Sequence, residues 1–393
     1  MIPFDQAFET AMAAAPQLGA ERVRIHDALG RVLAQDVPAD MDMPPFDKSA
    51  MDGYACRRQD LADPLEVIET IQAGQVPQRT IGENQCAKIM TGAMLPKGAD
   101  CVIMIEFTET SGETTVRFTG GHTRDNVCPQ GEDIRKGELV LHKGARIGPQ
   151  EIAMLATVGC VEPVVARRPA VGIIGTGDEL VEPSATPTPA QIRNSNSYQL
   201  EAHVATVSAV PYNLGVAKDT EAAIDAALKH AIAETDVVLL SGGVSMGDFD
   251  LVPKVLRQNH IELLFEKIAI KPGKPTVFGV SDGACFFGLP GNPVSTFVLF
   301  EILVKPFLFK MMGHEFRPPI ISARLENAIR RKRTEREAWI PVAFTADGGV
   351  TTVEYHGSAH SHALCYADGL VRVPPRVDRI EEGSYVRVRQ IRS

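Results

Sequence analysis

The chain has 393 residues, 44% of them hydrophobic, with a formal net charge of -9 and a pI near 5.6. That length exceeds what one compact core serves, so several domains are expected. The acidic balance argues against a nucleic-acid coat or a general membrane-surface binder, and any small anionic substrate must find a local basic pocket. The opening MIPFDQAFETAMAAAPQLGAERV lacks a basic region and carries Asp5 and Glu9 within its apolar periodicity, so it reads as an amphipathic helix and not as a signal peptide. No run reaches the length of a membrane span. The 7 cysteines are scattered, odd in number and never spaced C-x-x-C, which points to a reducing cytoplasm with neither a zinc site nor a disulfide framework.

Helical periodicity runs over residues 4–15 and returns over HDALGRVLAQDV, residues 26–37. From PPFDKSAMDGYA onward the composition turns to Gly, Pro and Thr with short alternating runs (CAKIM, CVIMIEF, TTVRF), the pattern of a small β domain. GPQEIAMLATVGC then reads as a helix stopped at Gly159, and VEPVVARRP as an extended exit. Residues 1–44 and 141–168 are therefore expected to form one helical and extended domain, with a β domain, 45–140, inserted in it. Over 169–313 apolar runs alternate with amphipathic helices: AVGIIGTGDEL, TEAAIDAALKHAIAET, DVVLLSGGVSMGD and ACFFGLPGNPVSTFVLFEILV. This predicts an α/β domain, a doubly wound parallel sheet with helices on both faces. VEPSATPTPAQIRNSNS is a proline-rich loop within it, and residues 314–393, with DGG and EEGS turns between short strands, predict a small β-barrel or sandwich.

Ligands of open parallel sheets bind outside the carboxyl ends of the strands. Three loops meet that description, 175–180, 241–250 and 289–295, and they supply the candidate ligand-binding residues Gly175, Thr176, Gly177 and Asp178, then Ser241, Gly242, Gly243 and Ser245, then Pro290, Gly291, Asn292 and Pro293. Successive N–H groups in such turns suit phosphate-like oxyanions. Asp178, Glu179, Asp248 and Asp250 would repel an anion unless a cation intervened, which suggests Mg²⁺ held at Asp250 and Glu179; Asp178 and Asp248 could equally be helix caps. In EKIAIKPGKPTVFG, residues 266–279, Pro272 and Pro275 stiffen a turn that carries Lys271 and Lys274. Alone this would be a solvated hairpin tip; beside three glycine turns it suggests an anion site. His360 and His362 lack a third ligand and read as surface residues.

PPFDKSAMDGYA, TGAMLPKGADCVI, GEDIRKG, GTGDEL, NSNSYQL, SGGVSMGDFD, AIKPGKP and LPGNPVSTF occur in an order that resembles the molybdopterin molybdenumtransferase family of the MoeA and gephyrin E-domain type, over nearly the whole chain. The resemblance implies a four-part homodimer whose third part shares the fold of molybdopterin adenylyltransferase. It implies Mg²⁺-dependent insertion of molybdate into the dithiolene of adenylylated molybdopterin, with release of AMP. It makes Asp52, Thr91, Asp133, Glu179, Asp219, Asp250, Lys267, Lys271 and Ser358 functional positions, and it places Lys271, Lys274, Pro275, Arg336 and Ser358 around molybdate. A molybdopterin adenylyltransferase and recipient molybdoenzymes would be further partners. Two departures stand out: Lys48 replaces the family's usual Asn, and RTEREAWIP stands where the family shows G-R-x-E-F. The alternatives are an adenylyltransferase and a non-catalytic scaffold.

Overall fold

A computed structural model of the chain describes residues 1–112, 114–244, 251–354 and 360–392. They form two compact units, one of residues 1–34, 144–148 and 164–393, the other of residues 35–143 and 149–163. The first unit begins with helix α1 (Phe4–Ala14), which buries Phe4, Ala7 and Ala11 at the three- and four-residue spacing of one helical face. The second expected helix does not form. Residues 26–37 contain only the end of a 3₁₀ turn, Ile25–Asp27; Gly30 turns the chain at φ +78°, and the buried Val32 and Leu33 bridge to Arg146 and Val165 as extended backbone. Backbone partners from distant segments override the local helical period there.

The second unit holds strands β1 (Gly53–Cys56), β2 (Leu65–Ile71), β3 (Gln85–Ile89), β4 (Cys101–Met104), β5 (Thr108–Ser111) and β6 (Thr115–Phe118), in a 6-stranded sheet of order β4-β1-β3-β2-β6-β5. Alternate residues feed two cores: Tyr54, Cys86 and Ile103 face one, Ala55, Ala87 and Val102 the other. Helix α2 (Pro149–Thr157) ends just before Gly159, whose φ of +69° suits a helix stop.

The first unit resumes with β7 (Ala170–Thr176), α3 (Asn196–Thr206), β8 (Val210–Ala217), α4 (Glu221–Glu234), β9 (Val237–Ser241), α5 (Val252–Gln258), β10 (Glu262–Phe265), β11 (Ile270–Lys271), β12 (Val277–Val280), β13 (Cys285–Leu289) and α6 (Pro293–Leu299). The sheet order is β8-β7-β9-β13-β12-β10. Ile173, Leu239 and Phe287 pack with α3 and α6 on one face, and Ile174, Leu240 and Phe286 with α4 and α5 on the other. The sheet is doubly wound as expected but only partly parallel. Strands β8, β7, β9 and β13 run parallel, whereas β12 pairs antiparallel with both β13 and the edge strand β10. The turn between β12 and β13, closed by Ser281 N–H to Ala284 O at 3.0 Å, is too short for a parallel crossover.

Helix α6 runs through a π-wound turn, Phe300–Val304, into α7 (Lys305–Met311). Pro306 has no N–H for the turn before it, which accounts for the irregularity. A barrel follows from β14 (Ile320–Arg324), β15 (Glu337–Phe344), β16 (Val350–Thr352), β17 (Gly369–Val373) and β18 (Tyr385–Gln390). Its order is β11-β15-β17-β18-β14 with β16 beside β15, and a bridge from Leu325 to Val350 closes the ring around Val342, Val371 and Val388. The lysine segment is thus no simple hairpin tip. Its ends pair as β10 and β12, but Ile270 and Lys271 leave to pair in parallel with Glu337 and Ala338 of the barrel. Among the described residues no helix is long and apolar enough to cross a membrane.

Candidate functional site

At the carboxyl ends of β7, β9 and β13 the glycine turns converge on a cleft of about 610 Å³. Thr176, Gly177 and Glu179 line it from the first turn, Ser241, Gly242 and Gly243 from the second, and Pro290, Gly291, Asn292 and Pro293 from the third; Asp219 joins them. Glycine is required at position 242, where φ is +107° and a Cβ would lie 2.5 Å from the Thr176 carbonyl oxygen. Gly175 lies inside β7, opposite Ser241, and does not line the cleft. Asp178 is not a helix cap: its Oδ1 accepts the Asp219 N–H at 3.3 Å, while the Thr220 hydroxyl caps α4 by accepting the Ala223 N–H.

Asn196, at the start of α3, was not singled out in the sequence. Its Nδ2 donates to Ser241 Oγ and to Gly291 O, each at 2.8 Å, so one side chain ties the second glycine turn to the third. Its Oδ1 and the hydroxyl of Thr176 are buried polar atoms of this cleft that have no hydrogen-bond partner among the described residues. Buried acceptors and hydroxyls are rarely left so, and both would be satisfied by a polar ligand. The only sequence signal for Asn196 was its place in NSNSYQL, just before an amphipathic run.

A second cleft, about 1060 Å³, shares Pro275, Pro290 and Asn292 with the first. Lys271 and Lys274 line it from the β10–β12 connection, with Ser295 from α6. Arg336, far away in sequence, lines the same cleft, and its guanidinium donates to the Ile270 carbonyl at 3.0 Å. The segment before it adds Arg330, Arg331 and Lys332, whose only sequence signal is the basic run RRKR. Arg331 donates to the carbonyls of Pro374, Val377 and Arg336, and burial, more than the neighbouring Arg336 charge, pulls its pKa down. Lys267 lines neither cleft; its carbonyl accepts the Ile2 N–H at 3.0 Å.

In the second unit, Thr91 donates to Asp52 Oδ1 from its backbone at 2.7 Å and from its hydroxyl at 2.9 Å. These bonds, the backbone one first, hold the Asp52 carboxyl below its ordinary range. Gly53 follows because a Cβ there would fall 1.9 Å from the Ile103 carbonyl oxygen. Asp133 is exposed and anchored by its N–H to Met43 O at 3.0 Å. Ser245, Asp248, Asp250 and Ser358 lie outside the described residues. Among the described residues no three His, Cys, Asp or Glu side chains gather in a metal-holding set.

Three family models match the chain in order. The MoeA N-terminal region (domain I and II) matches residues 2–159, a probable molybdopterin binding domain residues 172–310, and the MoeA C-terminal region (domain IV) residues 322–391. A Staphylococcus epidermidis protein named molybdopterin molybdenumtransferase is 38% identical over 372 residues, covering 89% of this chain and 87% of its own. A Bacillus subtilis protein of the same name is 39% identical over 318 residues, covering 78% and 74%. The crystal structure of the molybdopterin biosynthesis moeA protein of Pyrococcus horikoshii matches with a TM-score of 0.86 at 31% identity, over 99% of each chain.

Proposed function

The chain belongs to the MoeA family of molybdopterin molybdenumtransferases, transferases of molybdenum cofactor biosynthesis, and from that premise we propose how its residues divide the work. Adenylylated molybdopterin lies in the cleft of the glycine turns, molybdate lies against Lys271, Lys274 and Arg336, and transfer of molybdenum to the dithiolene accompanies release of AMP. The observation that carries this reading is the shared wall: Pro275, Pro290 and Asn292 belong both to the cleft with unsatisfied polar atoms and to the cleft lined by cations.

Backbone N–H groups of the turns and the Thr176 hydroxyl would orient the adenylate phosphate, with the dihedrals fixed beforehand by glycine. The cations of the second cleft would neutralise an oxyanion that is doubly charged at neutral pH, with compact ammonium groups from the lysines and a planar fork from Arg336. Soft thiolate ligands for the metal would come from the pterin.

Mg²⁺ keeps several waters and is bound through one or two carboxylates together with substrate phosphates. Glu179, a carboxylate of the cleft, fits as one such ligand, and Asp250 is the other proposed. The bound ion would stabilise charge on the adenylate phosphate. Asp52, Thr91, Asp133, Asp219, Lys267 and Ser358 complete the proposed functional set. The protein is proposed to act as a cytoplasmic homodimer, to receive its pterin from a molybdopterin adenylyltransferase and to supply molybdoenzymes.

The test incubates the protein with adenylylated molybdopterin and molybdate across a Mg²⁺ titration. Molybdate- and Mg²⁺-dependent AMP release supports the assignment. Consumption of ATP with molybdopterin would replace it with an adenylyltransferase, and no turnover of either would leave a scaffold.

A further inference from the structure

The basic cleft holds more positive charge than molybdate needs. Lys271, Lys274 and Arg336 are enough for one doubly charged oxyanion, yet Arg330 and Lys332 line the same cleft, against the one carboxylate, Glu354, among its described lining residues. None of these cations has a carboxylate partner among the described residues. The position of Arg330 adds a second observation. It sits directly opposite Arg379 in an antiparallel pair, a like-charge arrangement that is destabilising unless an anion compensates it. Arg379 is compensated by Glu381 at 2.6 Å; Arg330 has no such carboxylate among the described residues.

Arg331 shows how the segment is held. Its bonds to the Pro374 and Val377 carbonyls, at 2.9 and 3.1 Å, and its bond to the Arg336 carbonyl fix the backbone on either side of Lys332. The neighbouring side chains are thereby presented from a fixed base. The volume points the same way: about 1060 Å³ is the size of a pocket for an organic ligand, well beyond a tetrahedral oxyanion.

We infer that Arg330 and Lys332 form a second anion subsite in the basic cleft, one that takes a phosphate monoester carried on an organic ligand while Lys271, Lys274 and Arg336 hold the metal oxyanion. This rests on the proposed placement of molybdate and goes beyond it. An arginine fork beside a compact ammonium suits the several oxygens of a phosphate dianion. A phosphorylated pterin freed of its adenylate would present such a group next to the metal subsite.

The experiment measures binding of inorganic phosphate by calorimetry to the full chain with AMP and molybdate both saturating, so that the other two subsites are blocked. Phosphate should still bind, and R330A/K332A should weaken it about tenfold or more, the loss expected for charge-assisted contacts. The molybdate and AMP constants should change less than twofold in that variant. Lys332→Ala alone should show an intermediate loss, and unchanged thermal unfolding would show that the variants remain folded. Displacement of molybdate by phosphate one for one, equal phosphate binding by wild type and R330A/K332A, or no phosphate binding by the wild type would each overturn the inference. Failure of the wild type to bind molybdate at all would instead remove the oxyanion placement, and the comparison of phosphate binding would still decide the role of Arg330 and Lys332.

Discussion

Replacing Asn196 probes whether the glycine turns act as one preassembled site. Its Nδ2 makes two hydrogen bonds of 2.8 Å, and because the Gly291 carbonyl can only accept, the amide nitrogen must face it. Asn196→Ala removes both. At a net value of about 1 kcal/mol each, the loss is up to about 2 kcal/mol, and less where water reaches the Gly291 oxygen. For a domain of 150–250 residues that corresponds to a fall in Tm of roughly 4 to 8 °C. The part of the loss that loosens the turns should also appear in ligand affinity, as about a fivefold weaker Kd for AMP if about 1 kcal/mol of ordering must be restored on binding. Asn196→Asp should be worse, since a carboxylate faces the same carbonyl and repels a phosphate. Differential scanning calorimetry and titration with AMP measure the two effects separately. If Tm fell as expected while AMP bound with undiminished affinity, the tie would stabilise the fold only, and the idea of a preassembled site would fail.

Lys274→Ala should weaken molybdate binding by about 1.5 to 3 kcal/mol, leave AMP binding unchanged and be partly rescued at high molybdate; loss of AMP affinity without rescue would make the lysine turn a phosphate clamp. His203 is pushed down to about 4, first by burial and then by Lys305. Glu301, 3.5 Å away, would favour the charged ring, but the same carboxylate is already paired with Lys305 at 3.1 Å. Because the folded pKa lies below the unfolded value near 6.5, this contribution is full above about pH 6.5 and drains as the pH falls toward 4, by about 3 kcal/mol. The stability difference between wild type and His203→Asn should therefore narrow with acid, and a difference constant from pH 7 to 4 would contradict the burial effect. Sedimentation should show a dimer at micromolar concentration, whereas a fully active monomer would refute the proposed homodimer.

The βα alternation of residues 169–313 was legible because both faces of the sheet are covered, so that VGII, VVLL and CFFGL read as continuous apolar runs between amphipathic helices. The glycine turns were legible for a related reason: residues 177, 242 and 243 have positive φ, which glycine adopts without penalty. What escaped depends on partners distant in sequence. Residues 26–37 carry a helical period yet become extended because Val32 and Leu33 find bridges far along the chain. The antiparallel edge of the sheet is set by a turn length, and apolar content alone cannot distinguish the direction of a buried strand. The pairing of Lys271 with the barrel, which brings Arg336 to the lysines, is likewise nonlocal. In the candidate site, Gly175 sits inside a strand, where a glycine also serves packing: a Cβ there would meet Ser197 Oγ at 3.3 Å. Asn196 was missed because its role consists of bonds to two loops that come together only in the fold.

The proposed nucleotide and oxyanion subsites adjoin across Pro275, Pro290 and Asn292. Crystals of the protein grown with AMP and tungstate, a heavy analogue of molybdate, test it directly through the anomalous signal of the metal. One tungsten peak is expected within contact distance of Lys271, Lys274 and Arg336, and AMP with its phosphate at the turns of Gly177, Gly242 and Gly291. A tungsten peak among the glycine turns, or AMP lying in the basic cleft, would contradict it.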